Sequence, residues 1–359
     1  MIDASLLKPE EQAVFALRQL YRRYGYLPYK MSKFEEFEYY IANKDFLLSD
    51  RFITFNDIGG RLLALKPDVT LSIVKSREAA PGCKQKVYYN ENIYRIARST
   101  HQFREIMQTG LECIGDIDLY DIYEAVSLAA RSLAVISEDF ILQISHLGVL
   151  SDALDRCGIT GEARQAAIGC IAEKNTHDLA RLCADCGTDP AILTGIVCAA
   201  GSRKEVLRKL ETLCPGKALE ELKALSALLD HAPEAEKIRF DFSVVGNMNY
   251  YNGIVMGGFV QGIDQRLLSG GQYDFLLEKL GRPGGAIGFA LYLDLLEQLP
   301  RPRRGYDVDV LLLYDDPAAV PAAVETLTAA GKTVSAQKAV PERLRYREVL
   351  DLRKEAPAC

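Results

Sequence analysis

The chain has no excess of positive charge: Lys and Arg number 43 against 49 Asp and Glu, for a net charge of −6. Broad contact with nucleic acid needs a basic face, so this balance argues against an extended nucleic-acid-binding role. It has no apolar run of the ~20 residues that a membrane-spanning helix requires. No period recurs along it, which excludes a solenoid. A zinc site of the usual kind needs two closely spaced cysteine pairs. Here only Cys183 and Cys186, in LCADCG with His177 upstream, stand close together. The nine cysteines, an odd number, are therefore expected to be reduced, mostly buried thiols, with no metal and no cofactor. The opening stretch MIDASLLKPEEQAVFALRQLYRRYGY lacks a signal-peptide pattern and reads as a cap followed by an amphipathic helix. A cytoplasmic location is expected.

What is present is a chain of 359 residues, 48% hydrophobic, enough for a sizeable core and two or three domains. GYLPYKMSKFEEFEYY reads as extended. RFITFNDIGGRLLALKPDVT alternates around a Gly-Gly turn and reads as a hairpin. LKPDVTLSIVKSRE then starts a helix, with Pro67 suited to its first turn and Asp68 or Thr70 able to cap it. KVYYNENIYRIA and REIMQTGLECIG are strand-like and hold Arg95, Arg98, Arg104, Gln108 and Glu112 in a segment otherwise patterned for burial. Such a sheet face suits a small charged ligand.

From about residue 150 to 235 the pattern becomes short amphipathic helices separated by Gly, Asp-Pro and Pro-Gly. Strand patterning returns at KIRFDFSVVGNMNYYNGIVMGGFVQG and runs through RLLSGGQYDF and GGAIGFALYL. PRPRRGYD reads as a linker. Beyond it, DVDVLLLYDD, AAVPAAVETLTAAG and KTVSAQKA read as strand, helix, strand, followed by a last basic helix, PERLRYREVLDLRKE, carrying Arg343, Arg345, Arg347 and Arg353.

Several of these stretches, in order, resemble the class II aminoacyl-tRNA synthetase core of the histidine–tRNA ligase lineage. GYLPYKMSKFE resembles its first motif, LKPDVT its amino-acid-binding turn and IYRIARSTHQFREIMQTGLECIG its second motif. NYYNGIVMGG resembles the histidine-specific signature, SGGQYD the glycine-rich turn after it, and GGAIGFALYLDLL the third motif. The resemblance implies an α+β fold, a class II synthetase-like antiparallel sheet with surrounding helices. It implies a core over residues 1–305, a helical insertion at 150–235, and a small α/β unit at 306–359 similar to a truncated anticodon-binding domain. It also implies a histidine pocket of Asp68, Thr70, Arg95, Gln108, Glu112, Tyr251 and Tyr273. In it Asp68, Thr70 and Gln108 face the ammonium, Arg95 faces a carboxylate or phosphate, and Glu112 and Tyr251 face the imidazole. Gly270 and Gly271 would bring backbone close to the ligand.

The departures fall on the ATP side. Leu295 stands where the third motif ends in arginine. Gly246 stands where the histidine-specific signature begins with arginine, and Asn249, Ala97 and Ser32 replace an acid, an acid and a proline. Losing one charge-stabilising donor costs on the order of 10²–10³ in rate. The retained pocket and altered ATP side are similar to the regulatory subunits of ATP phosphoribosyltransferase, the first enzyme of histidine biosynthesis. Those relatives are not enzymes themselves. The resemblance implies a short-form catalytic subunit as partner, histidine as ligand, and a homodimer or higher hetero-oligomer. The alternatives are a divergent histidine–tRNA ligase, which would rebuild phosphate contacts from Arg98, Arg104 or Lys66, and an orphan paralogue binding another small amine or a tRNA-like RNA.

Overall fold

Helix α1 (Pro9–Arg23) starts at a proline, with Glu10 and Glu11 in its first turn and Arg22 and Arg23 in its last, so both ends complement the helix dipole. Its apolar stripe, Val14, Leu17, Leu20 and Tyr21, is buried. The computed structural model describes residues 7–44, 47, 52–76, 79–96, 102–246, 250–299 and 305–353. The chain divides into two compact units, Met1–Leu299 and Pro300–Cys359. The expected linker at PRPRRGYD lies largely outside the described residues.

In the first unit, the stretch expected to be extended is so only in part. Strands β1 (Leu27–Pro28) and β2 (Phe34–Glu36) are followed by a short helix, α2 (Phe37–Ala42). Helical spacing brings Phe37 and Tyr40 onto one ring: Phe52 meets Phe37 edge-on at 5.5 Å and stacks with Tyr40 at 5.9 Å. Strands β3 (Thr54–Asn56) and β4 (Leu62–Leu65) form the expected hairpin. Its turn is held by the Asp57 carboxylate, which accepts from the Arg61 backbone N–H and from Nε. With β2 they make a small sheet in the order β2-β4-β3. Helix α3 (Thr70–Ser76) follows Pro67, and Asp68 caps it by accepting from the Leu71 N–H at 2.9 Å.

The long hairpin β5 (Lys84–Ile96) and β6 (Phe103–Gly115) pairs antiparallel from Lys84↔Gly115 to Ile96↔Phe103. Asp118 then caps α4 (Leu119–Ile136), accepting from the N–H groups of Tyr120 and Asp121, while Asp121 accepts from the N–H of Asp118. Strand β7 (Phe140–His146) leads into α5 (Leu147–Arg156), α6 (Gly161–Ala172), α7 (Thr176–Asp185) and α8 (Ala191–Val197). The two-residue strand β8 (Ala200–Gly201), α9 (Arg203–Leu213) and α10 (Lys217–Leu229) complete this stretch. Strands β9 (Ile238–Asp241), β10 (Ile254–Val260) and β11 (Leu268–Gln272), helix α11 (Asp274–Lys279) and strand β12 (Gly285–Tyr292) return to the sheet. The nine-stranded order is β1-β5-β6-β12-β11-β10-β7-β9-β8. All pairs are antiparallel except β1 with β5 and β7 with β9. The apolar faces of α5 to α10 (Leu154, Ile171, Leu179, Leu193, Leu210 and Leu222 among them) join one core cluster with α1, α4 and the sheet. A second cluster, holding Tyr40, Ile73, Tyr89, Tyr273 and Leu276, packs α3 and α11 together.

Burial of the thiols is less general than expected. Cys113, Cys157, Cys183 and Cys214 are buried, but Cys83, Cys186 and Cys198 are exposed. Cys186 and Cys198 are the C-cap residues of α7 and α8, where the chain turns outward to solvent.

The second unit contains β13 (Val308–Leu313), α12 (Val320–Ala329), β14 (Val334–Gln337) and β15 (Tyr346–Asp351), in a parallel sheet of order β14-β13-β15. The basic stretch expected as a helix is thus a strand over Tyr346–Asp351. The buried run of β13 leaves backbone groups to satisfy on both edges, and β15 takes the second edge in register from Val308↔Tyr346 to Leu313↔Asp351. Two of the four arginines of that stretch are paired locally: Arg345 with Asp307 at 2.7 Å and Arg353 with Asp351 at 2.5 Å.

Candidate functional site

On one face of the large sheet lies a cavity of about 210 Å³. Drug-sized pockets run to ~300–1,000 Å³, so this one is on the scale of a single small metabolite. All seven residues expected from the sequence line it. Asp68 and Thr70 come from the turn that opens α3, Arg95 from the end of β5, and Gln108 and Glu112 from β6. Tyr251 precedes β10, and Tyr273 follows β11.

Glu112 is 2% exposed. One carboxylate oxygen accepts from Thr70 Oγ1 at 2.7 Å and the other from the Tyr273 hydroxyl at 2.6 Å. Burial pushes this carboxyl up to about 8 against the pull of those two bonds, and Asp68 pushes the same way. Asp68 is itself raised by burial, while the Leu71 N–H and the Arg95 charge pull it down. Arg95 donates from Nε to the Pro67 carbonyl at 3.0 Å and stands 4.0 Å from the Asp68 carboxylate. Tyr250 meets Tyr251 edge-on at 4.6 Å and Tyr273 at 5.6 Å. Burial raises the hydroxyls of all three, which keeps them neutral donors.

Room for the acid comes from glycine. Gly288 on β12 pairs with Glu112 on β6, and a β-carbon at Gly288 would overlap the Glu112 carboxylate. Gly270 lines the cavity, and both Gly270 and Gly271 are also needed bare for packing. A β-carbon at Gly270 would meet the Gly288 carbonyl and Phe289, and one at Gly271 would meet the Ile254 carbonyl and the Tyr251 ring. Their bareness thus also serves strand packing and the seat of Tyr251.

The structure adds Tyr250, Arg266, Ser269, Gly288 and Tyr292 to the lining. Arg266 had a visible signal: a lone cation two residues before the buried strand opening at Leu268. Gly246 also lines the cavity, at φ +61°. Leu295, by contrast, packs against the main core cluster and is not among the lining residues. Lys66 is 1% exposed and paired with Glu91 at 2.5 Å, and Arg104 is exposed. Ala97, Arg98 and Asn249 lie outside the described residues. Among the described residues no helix is long and apolar enough to cross a membrane.

The profile of the histidyl-tRNA synthetase family matches residues 5–296. The chain belongs to that family. Among its relatives in the family's wider circle, the ATP phosphoribosyltransferase regulatory subunit of Oceanobacillus iheyensis is 27% identical over 290 residues, covering 78% of this chain and 71% of that protein. The histidine–tRNA ligase of Methanocaldococcus jannaschii is 29% identical over 287 residues, covering 77% and 68%. Among solved structures, an ATP phosphoribosyltransferase regulatory subunit/histidyl-tRNA synthetase from Bacillus halodurans superposes with a TM-score of 0.75 at 24% identity, over 99% of this chain and 97% of that one. A chain of the ATP phosphoribosyl transferase (HisG:HisZ) complex from Thermotoga maritima gives 0.64 at 20% identity, over 79% and 97%. The class II synthetase-like fold expected from the sequence is the fold observed.

Proposed function

We propose that this chain is the regulatory subunit of an ATP phosphoribosyltransferase, without a reaction of its own. It binds histidine in the cavity and passes that occupancy to a short-form catalytic subunit. The observation that carries this reading is the amino-acid-sized cavity in which the expected histidine contacts converge while Leu295 turns into the core. Relatives of that name at 26–28% identity support it. Asp68, Thr70 and Gln108 suit an ammonium, and Glu112 and Tyr251 suit the two ring nitrogens of an imidazole. A tenfold change in the partner's activity needs only about 1.4 kcal/mol of differential binding, and linkage makes the partner's ligands shift histidine affinity by the same factor. A homodimer through the first-motif segment is part of the proposal.

The test is formation of phosphoribosyl-ATP by a short catalytic subunit with and without this chain, then with histidine titrated in. The reading expects activation that histidine reverses, and Glu112→Ala to weaken the reversal. No change on adding the chain would sink it. The 29% identity to a histidine–tRNA ligase favours a second reading, an active ligase. Histidine-dependent exchange of pyrophosphate into ATP would establish that reading in its place.

A further inference from the structure

Arg266 enters the cavity from the turn before β11, and nothing in the proposed histidine contacts uses it. Its side chain packs against β10 at Gly257. A β-carbon on Gly257 would stand 3.0 Å from Arg266 Nε and 3.3 Å from Cδ and Cζ. The Phe259 ring flanks the guanidinium at 5.8 Å. Among the described residues no carboxylate lies within 4.0 Å of it. Its charge reaches the hydroxyls of both Tyr251 and Tyr292, easing part of the rise that burial imposes on them.

The other cavity arginine is already engaged, by the Pro67 carbonyl and Asp68. The two acids are engaged as well: Asp68 by the Leu71 N–H and Arg95, and Glu112 by Thr70 and Tyr273. Burial keeps Glu112 protonated up to about pH 8. Among the described lining residues two guanidinium groups then face one carboxylate, an excess of one positive charge. A guanidinium presents a planar fork that fits a carboxylate or phosphate edge through two hydrogen bonds.

We propose that Arg266 is the anion-recognising residue of the cavity, pairing with an oxyanion of the ligand. That oxyanion is either the carboxylate of an amino acid or the phosphate of a nucleotide. The first source rests on the histidine reading above; the second does not. Gly257 is the positional partner of this residue: a β-carbon there makes the Arg266 side chain give by a few tenths of an ångström.

The test is calorimetric titration of the full chain with histidine, with histidinol (an alcohol in place of the carboxylate) and with adenosine monophosphate. Arg266→Met, Arg266→Lys and Gly257→Ala are compared with wild type, their fold checked by thermal unfolding. Arg266→Lys keeps a cation without the planar fork, so it carries the test if Arg266→Met folds poorly. If the carboxylate is the source, wild type prefers histidine to histidinol by about 10- to 100-fold. Arg266→Met then erases that preference with histidinol binding unchanged, Arg266→Lys keeps part of it, and Gly257→Ala reduces it. If phosphate is the source, the same variants lose adenosine monophosphate and keep histidine. Histidine and adenosine monophosphate affinities both indifferent to Arg266→Met overturn the proposal. A wild type that ignores histidine and histidinol but binds adenosine monophosphate through Arg266 overturns the histidine reading alone. A wild type that binds none of the three overturns both.

Discussion

Gly288 and Glu112 face each other across β12 and β6, and the absence of a side chain on the first is what gives the second its place. Gly288→Ala therefore forces the Glu112 carboxylate away from Thr70 and Tyr273. Overpacking of this kind costs ~1–3 kcal/mol. The expected outcome is a lower thermal midpoint together with loss of histidine binding by calorimetry. A Gly288→Ala protein that binds histidine as wild type does would show that Glu112 does not contact the ligand.

Glu112 also sets a pH dependence. Its carboxyl titrates near 8 in the folded chain, against about 4.3 for an unperturbed glutamate. Between those values the folded state holds a proton that the unfolded state has released, so the contribution to stability is full below the lower value and falls as pH rises to about 8. Above that it is flat. In Glu112→Gln this slope disappears. Denaturant midpoints measured across the window check it: an unchanged slope in Glu112→Gln would place the titration elsewhere.

Tyr273 donates to the same carboxylate. Tyr273→Phe removes a bond that favours the ionised form, which moves Glu112 further upward. Loss of one such bond costs ~1–2 kcal/mol, and the loss should be larger at about pH 9, where wild-type Glu112 is ionised, than at about pH 6. Equal losses at both would mean the hydroxyl acts only by packing.

Lys66 sits at 1% exposure with its ammonium 2.5 Å from Glu91. Burial lowers this lysine while the Glu91 charge holds it up. Lys66→Met strands a partly buried carboxylate and should cost ~3–5 kcal/mol. Adding Glu91→Leu should recover most of it, and urea titration of the single and double variants measures the difference. No recovery would mean that the Lys66 side chain stabilises the chain by its packing rather than by its pairing with Glu91.

The periodic and capped elements could be read along the chain. Helix α1 carried its proline, acids and apolar stripe in plain order, and the β3–β4 turn carried its glycines. Seven of the residues that line the cavity were legible because each lies in a stretch with a family resemblance, in family order. The features that could not be read there depend on partners distant in sequence. FEYY became helical because Phe52 offered one ring to both Phe37 and Tyr40. YREVLD became a strand because β13 needed its second edge paired, a demand that outweighs local helical patterning. Arg266 reached the cavity because Gly257, on a neighbouring strand, leaves bare backbone for it to cross. Likewise the value near 8 for Glu112 belongs to its burial, which no local stretch of sequence encodes.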